Sequence, residues 1–247
     1  MDFYNDKNLL CDVFDAYFYD TDGKLVFMSD NLTSSNIEGT ADETEVRNGR
    51  GNSLFAKLYS NKTIDITLET NAFDFSTLAL LCGTSIGTGR GTCYSEAELL
   101  TVKSNTVTLQ YAPKDEEGLE CFIDGVKVEP ESVSGKTVTF NTIEDGKEVK
   151  IMPYEYDVVG EDYQEITVRA DQFPSAGKLV LKGVEKNKLG KNYKNITIII
   201  EQASVSSDFS LSTSSEVEPS TTSIKLSALT KNGELMRIIE SPFEATP

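Results

Sequence analysis

The chain has 247 residues, a length that suits one large all-β domain or two ordinary domains. Its 23 Lys and Arg are outnumbered by 40 Asp and Glu, and the net charge of −17 argues against binding to nucleic acid or to an anionic membrane, because phosphate groups need a positive surface. Histidine is absent, which removes the usual general base, the commonest zinc ligand and every Ser-His-Asp or Cys-His site. Composition therefore favours a structural or interaction protein without cofactor or metal.

The cysteines are Cys11, Cys82, Cys93 and Cys121, and none forms a C-x-x-C pair. We therefore expect neither a zinc ribbon nor a thioredoxin-like redox site. Reduced and mostly buried thiols are our expectation, with one or two disulfides as the alternative.

Targeting signals are not apparent in the sequence. The first ten residues hold two acidic side chains and no apolar stretch typical of a signal peptide. Apolar runs such as residues 196–200 are far shorter than the ~20 residues of a membrane-spanning helix. We expect synthesis and assembly in the cytoplasm, without membrane insertion.

The first predicted element is a β-hairpin. Apolar residues 17–19 and 25–27 flank the turn 20–23, where Gly23 can adopt a positive φ. The Asp-rich turn resembles the start of a calcium-binding loop, but the remaining ligands are missing, so we predict a plain turn.

An unusual segment follows at residues 45–59, where two arginines and two glycines occupy five positions of an acidic chain. One interpretation is a β-bulge and turn whose glycines permit a tight backbone path. The other is a contact between subunits, in which Arg47 and Arg50 bind carboxylates. The sequence leaves these two interpretations open.

A strand and a helix come next in the chain. Residues 63–69 alternate strictly between polar and apolar, which predicts a strand with one wet and one dry face. Residues 75–82 have helical spacing, with Asn71 or Asp74 as the N-cap and Gly83 as the stop signal.

The remaining segments are predicted as strands, turns and two loops. The Gly- and Ser-rich stretch 84–96 and the Ser/Thr-rich stretch 206–223 are expected to be loops or arms; the glycines at 87–91 lack the context of a nucleotide-binding loop. Further strands are predicted at 106–111, 165–169 and 195–201, and further hairpins around 124–125, 145–146 and 232–233.

These elements predict an all-β protein, a mainly antiparallel β-sandwich or half-barrel with one short flanking helix. No long polar spacer suggests a second domain, so we expect one domain over residues 1–247.

Several of these motifs, in this order, resemble the tail tube (major tail) proteins of phages and prophages of Gram-positive bacteria. The motifs lie at residues 45–54, 64–68, 72–83, 165–174, 196–201 and 208–211. The resemblance implies a protomer that assembles into rings, usually hexamers, which stack into a hollow tube. The implied partners are further copies, a tape-measure protein inside the tube, tail terminator and baseplate proteins, and a sheath in contractile tails.

The resemblance also implies that DNA passes through the lumen without specific binding, and that the protein resides in the virion. We expect an electronegative lumen, because it would repel DNA phosphates. Contacts between subunits are expected at Arg47, Asn48, Gly49, Arg50, Gly51, Asn52, Leu54 and Phe55. An inner sheet is expected to present Thr63, Asp65, Thr67 and Glu69.

A binding module for carbohydrate or protein is the alternative function. Tyr154, Tyr156 and Tyr163 would then form an aromatic platform, although packing in a core is the commoner use of such residues. An acid-only hydrolase ranks third, because no carboxylate spacing marks one.

Overall fold

The computed structural model describes residues 9–187, 189–213, 215 and 219–243. Contacts divide the chain into two compact units. Unit 1 comprises Met1–Ile86 and Ile166–Pro247, and unit 2 comprises Gly87–Glu165. The single-domain expectation stays a prediction, and each unit is described by itself.

The elements follow in chain order. Unit 1 begins with β1 (Leu9–Tyr19), β2 (Leu25–Ser29), β3 (Leu32–Asn48), β4 (Ser53–Thr70) and α1 (Phe75–Cys82). Unit 2 contains β5 (Gly87–Tyr94), β6 (Glu98–Thr101), β7 (Thr106–Thr108), β8 (Cys121–Ile123), β9 (Val126–Val128), β10 (Ser132–Ser134), β11 (Thr137–Thr139), β12 (Glu148–Ile151) and β13 (Glu155–Glu165). Unit 1 resumes with β14 (Gly177–Lys186), β15 (Asn192–Val205), β16 (Thr222–Ala228) and β17 (Arg237–Pro242).

Unit 1 is built on one antiparallel sheet with the strand order β2-β1-β14-β15-β16-β4-β3, and β17 also pairs with β15. Four strands separate β1 from β3 in this order, yet the two strands approach each other, which shows that the sheet is strongly curved. The backbone N–H of Phe14 on β1 donates to Ser35 Oγ on β3 at 3.3 Å. The described residues confirm the all-β antiparallel prediction and show no closed barrel.

The concave side of this sheet holds the core, since alternate residues of each strand point inward. On β4, Ile64, Ile66 and Leu68 are buried while Thr63 and Asp65 are exposed. This confirms the predicted strand with one wet and one dry face.

Helix α1 begins and ends where the sequence predicts. Asp74 is the N-cap and accepts a hydrogen bond from the backbone N–H of Thr77 at 2.7 Å. Gly83 ends the helix in the left-handed conformation, with φ of 64°. Both signals are local, which is why they could be read from sequence.

Unit 2 has a hydrophobic core of its own beneath three small sheets. Their strand orders are β10-β11-β7, β6-β12-β8-β9 and β13-β5. Its buried core residues are Val102, Val107, Leu109, Leu119, Cys121, Val138, Phe140, Val149, Ile151 and Tyr154. The chain enters and leaves unit 2 at adjacent positions, because Gly87 pairs with Glu165.

The prediction of a loop over residues 84–96 was wrong for Gly87–Tyr94, which form β5. Pairing with β13, more than 60 positions away in sequence, holds this Gly-rich segment extended, and local composition cannot reveal such a distant partner. The strand predicted at 165–169 was misplaced, since β13 ends at Glu165. The strand predicted at 106–111 is shorter, ending at 108. The described part of 206–221 has no regular secondary structure; the rest of that segment lies outside the described residues.

Two of the four predicted hairpins are confirmed, joining β1 to β2 and β8 to β9. The turns at 145–146 and 232–233 exist, but their flanking strands do not pair with each other. β11 pairs with β7 and β10, whereas β12 pairs with β6 and β8. β16 and β17 both pair with β15. A turn motif fixes the local backbone path but not the partner of each strand.

All four cysteines are free thiols, as expected. Cys82 and Cys121 are buried, whereas Cys11 and Cys93 are half-buried. Burial raises the pKa of the Cys121 thiol to about 11, which disfavours the reactive thiolate at neutral pH.

Gly83→Ala should destabilise unit 1 far more than Gly23→Ala. Both glycines have positive φ, so each substitution carries a strain of about 1–2 kcal/mol. Only at Gly83 would the new Cβ meet backbone, lying 2.2 Å from the carbonyl carbon of Phe173, whereas Gly23 faces open space. Urea unfolding of both variants would measure the difference. Equal losses of unfolding free energy in the two variants would show that residues 173–174 move away from the new Cβ at little cost.

Candidate functional site

The most exposed feature of unit 1 is the far end of the β3–β4 hairpin. β4 pairs with β16 only over residues 65–70, and beyond that point β3 and β4 pair with each other alone. Residues 41–62, here called the arm, form this two-stranded ribbon. Every residue of the arm is exposed except Val46 and Ala56, which are half-buried.

A β-bulge marks the base of the arm. Thr40 pairs with Thr63 and Asp42 with Ser60, so Asn61 and Lys62 together face the single residue Ala41. Asn61 adopts a φ of 50°, and its side-chain amide donates to Asp42 Oδ2 at 2.9 Å. Because side chains alternate with a period of two, the extra residue exchanges the two faces of β4 at this point.

The exchange gives the arm two chemically different faces. The outward face is the side of the sheet away from the core. Beyond the bulge it carries Val46 paired with Ala56 and Thr44 paired with Leu58. The outward face of the arm is therefore polar at its base, where Asp42 pairs with Ser60, and carries three apolar side chains further out, of which Leu58 is 57% exposed.

The opposite face of the arm is ionic and internally paired. Lys57 Nζ donates to Glu43 at 2.5 Å and lies 4.0 Å from Glu45. The hydrogen bond from Lys57 holds the pKa of Glu43 below its ordinary value. Glu43 in turn raises the pKa of Tyr59 by hydrogen bonding to its hydroxyl. This face has little unsatisfied charge to offer a partner.

The tip of the arm is the tight turn that the Gly-Arg segment predicts. Gly49 has a φ of 75°, and the N–H of Asn52 donates to the Gly49 carbonyl at 3.1 Å. Arg47 donates twice to Glu45 Oε2, at 2.9 and 2.6 Å. Arg50, in contrast, is exposed and makes no ion pair within the described residues. The bulge-and-turn interpretation is confirmed, and the subunit contact stays a prediction.

The remaining predicted contact residues lie together at the end of the arm. Asn48, Gly51, Leu54 and Phe55 lie at or beside the tip, where they are all exposed. Phe55, at 69%, exposes the largest fraction of these. The tip thus combines an unpaired guanidinium with apolar side chains in water.

The predicted inner-sheet residues share the outward face of β4 on the body side of the bulge. They are Thr63, Asp65, Thr67 and Glu69. Ser227 Oγ donates to Asp65 at 2.6 Å, and the Thr63 hydroxyl lies 2.8 Å from that of Thr40. Together with Glu38 and Lys225, which pair across the strands with Asp65 and Thr67, they form what we call the polar panel.

The other half of the outward face carries an apolar row that sequence reasoning missed. Met28, Tyr17, Val180 and Ile199 pair directly across β2, β1, β14 and β15; on β17, Arg237 pairs with Ile199, and Ile239 lies two residues further along. The first four are each flanked by buried residues of their own strands, and Met28 remains 52% exposed. The alternation within each strand was visible in sequence, but the register that aligns them was not.

The tyrosines of the alternative function do not form an exposed platform. Tyr154 is 6% exposed, and its hydroxyl donates to Glu98 at 2.6 Å. Burial, helped by that carboxylate, raises the pKa of Tyr154 to about 12. Tyr156 stacks on Tyr111 with ring centroids 3.9 Å apart, and the Tyr163 hydroxyl donates to Glu165. The aromatic-platform prediction was therefore wrong for Tyr154, which belongs to the core of unit 2.

The described residues offer no metal site, since no group of three or more His, Cys, Asp or Glu among them could hold a metal ion. An open cleft of about 950 Å³ in unit 1 is lined by Lys178, Glu201 and Lys231, but Glu201 already pairs with both lysines. In the part of the chain that the structure describes, no helix is long and apolar enough to cross a membrane.

The structure thus defines an antiparallel β-protein with a long two-stranded arm that has no partner within the described residues. The chain belongs to the YomU/Tube protein family, whose sequence model matches residues 8–238. It is also 33% identical over 110 residues to a tail tube protein of Bacillus phage SPR. That match covers 43% of this chain and 41% of the relative's length.

Tyr154→Phe should lower the stability of unit 2, whereas Tyr94→Phe should leave it nearly unchanged. Both hydroxyls donate to a carboxylate, but Tyr154 is buried and Tyr94 is 69% exposed. Loss of the buried bond should cost roughly 1–3 kcal/mol in urea unfolding. Because the pKa of Tyr154 rises from 10.0 to about 12, its contribution is complete below pH 10 and is lost as the pH rises through 12. Equal effects of the two substitutions would contradict this assignment.

Proposed function

We propose that this chain self-assembles into rings, hexameric as in the family it resembles, and that the rings stack into a hollow tail tube for DNA passage. Membership of the YomU/Tube family and the similarity to a tail tube protein of Bacillus phage SPR support this proposal. The proposed work is mechanical and non-enzymatic, and needs no cofactor.

The observation that carries the proposal is the arm. An isolated two-stranded ribbon is marginally stable in water, because neither face is covered. The arm has 22 residues, and its outward face carries the apolar residues Val46, Ala56 and Leu58 beyond the polar pair Asp42 and Ser60 at its base. Such a ribbon gains stability when a second copy covers it, which is the role expected of the segment around Arg47 to Phe55.

The polar panel is our candidate for the lining of the lumen. Its charged residues are Glu38, Asp65 and Glu69 against the single Lys225. A surface of this sign repels phosphates, so DNA would slide past it without adhering. Residues 206–223 and residues 84–96 are our candidates for contacts between layers.

The wider partners of the tube are also part of the proposal. A tape-measure protein would occupy the lumen during assembly, and terminator and baseplate proteins would cap its two ends. A sheath would surround the tube in a contractile tail. Assembly would take place in the host cytoplasm, and the mature protein would reside in the virion tail.

Leu58→Asp should impair tube assembly, and Leu99→Asp should not. The two leucines are similarly exposed on strands, at 57% and 63%, but only Leu58 lies on the arm. A buried carboxylate without a partner disfavours the contact by several kcal/mol. Negative-stain microscopy and light scattering across a concentration series would measure assembly. Normal tubes formed by the Leu58→Asp variant would show that the arm makes no contact on which assembly depends.

Glu38→Lys with Asp65→Lys should slow DNA delivery by phage carrying the double variant. The substitutions turn the panel positive, so that passing phosphates would adhere. Glu116→Lys with Glu117→Lys makes the same change of charge on exposed residues of unit 2 and serves as control. Delivery kinetics at two salt concentrations would test this, because screening should lessen the effect. Unchanged delivery by assembled Glu38/Asp65 variants would show that the panel does not line the lumen.

A further inference from the structure

We propose that the apolar row on the outward face of unit 1 receives the arm of a second copy. The row consists of Tyr17, Met28, Val180, Ile199 and Ile239. This inference rests on the proposed self-assembly and names the surface to which the arm binds.

The row has the size and chemistry of a receiving surface. It crosses five strands at a spacing of about 4.8 Å, hence about 19 Å, which exceeds the width of a two-stranded ribbon. The arm has 22 residues, and its outward face alone would supply roughly half of the 20–30 residues that each partner of a stable interface contributes. Apolar patches of this kind on the surface of a protein mark contacts with another molecule.

Charge complementarity selects the arm as the occupant. Lys178, Lys182 and Lys186 stand on the outward face of β14 at intervals of four residues, about 13 Å. Lys178 pairs with Glu201 and Lys186 with Asp12, whereas Lys182, directly across from Asp15, makes no ion pair in the described chain, and its Nζ lies 5.6 Å from the Tyr17 ring centre. On β3, Asp42 lies on the outward face at the base of the arm and has no cationic partner in the described residues.

The two surfaces therefore match in type, since each joins a charged residue to apolar ones. Along the hairpin, the carboxylate of Asp42 precedes the apolar pair Val46 and Ala56. Across the receiving sheet, the lysines of β14 alternate with the apolar row at Val180. No Lys or Arg occurs between residues 33 and 46, so the acidic edge is uninterrupted.

Photo-cross-linking in the full chain tests the contact. Benzoyl-phenylalanine in place of Leu58 should give intermolecular products, mapped by mass spectrometry to peptides of β1, β2, β14, β15 or β17. The same group in place of Leu99 is the control and should not label those strands. Tubes whose Leu58 products map elsewhere would overturn this inference while leaving the proposed function intact. Absence of both tubes and products would contradict both.

Charge exchange gives a second, independent readout. Lys182→Glu and Asp42→Lys should each raise the concentration needed for assembly roughly tenfold, because each places like charges together. The double variant should return towards the wild-type concentration, since it restores an opposite pair. Additive losses in the double variant would overturn the pairing of these residues, even if each single variant is impaired.

Discussion

Unit 1 depends on one constraint, which is that a single curved sheet must bury alternate residues of its central strands in one core. Residues 14–18 of β1, 64–70 of β4, 177–181 of β14 and 196–200 of β15 satisfy it by strict alternation. The remaining residues are thereby committed to the outward face, whatever their chemistry. The polar panel and the apolar row are consequences of this arrangement. Because their chemistry differs, the two surfaces suit different roles, namely contact with solvent and contact with another copy.

The charge of the protein is distributed unevenly between the units. Unit 2 contains 17 Asp and Glu against 7 Lys and Arg, a net charge of −10 out of −17. Whole-chain charge therefore overstates what unit 1 can contribute to a lumen. The argument for repulsion of DNA rests instead on the local signs of Glu38, Asp65 and Glu69, and local charges matter most because salt screens charges beyond about 8–10 Å.

Sequence reasoning succeeded where the cause was local. The cap at Asp74, the stop at Gly83 and the tight turn at the arm's tip each follow from a few neighbouring residues. It failed where pairing was distant, because composition does not reveal that Gly87–Tyr94 pairs with β13. The apolar row was missed for the same reason, since it exists only when the strands of unit 1 are in register. Arg47 and Arg50 looked equivalent until the structure showed that Glu45 already engages Arg47.

The bulge at Asn61 links these features into one argument about assembly. Without the extra residue, Lys57 would face outward while Glu43 stayed on the inner side, and Leu58 would lie on the inner side. The bulge therefore presents an apolar surface on the same side as the polar panel. Arm and row are different surfaces of one chain, so a copy that gives its arm to one neighbour can receive the arm of another, and this head-to-tail arrangement does not end with a dimer. Repeated in a closed circle it forms a ring, and with an axial offset it continues as a stack, which is the geometry a tube requires.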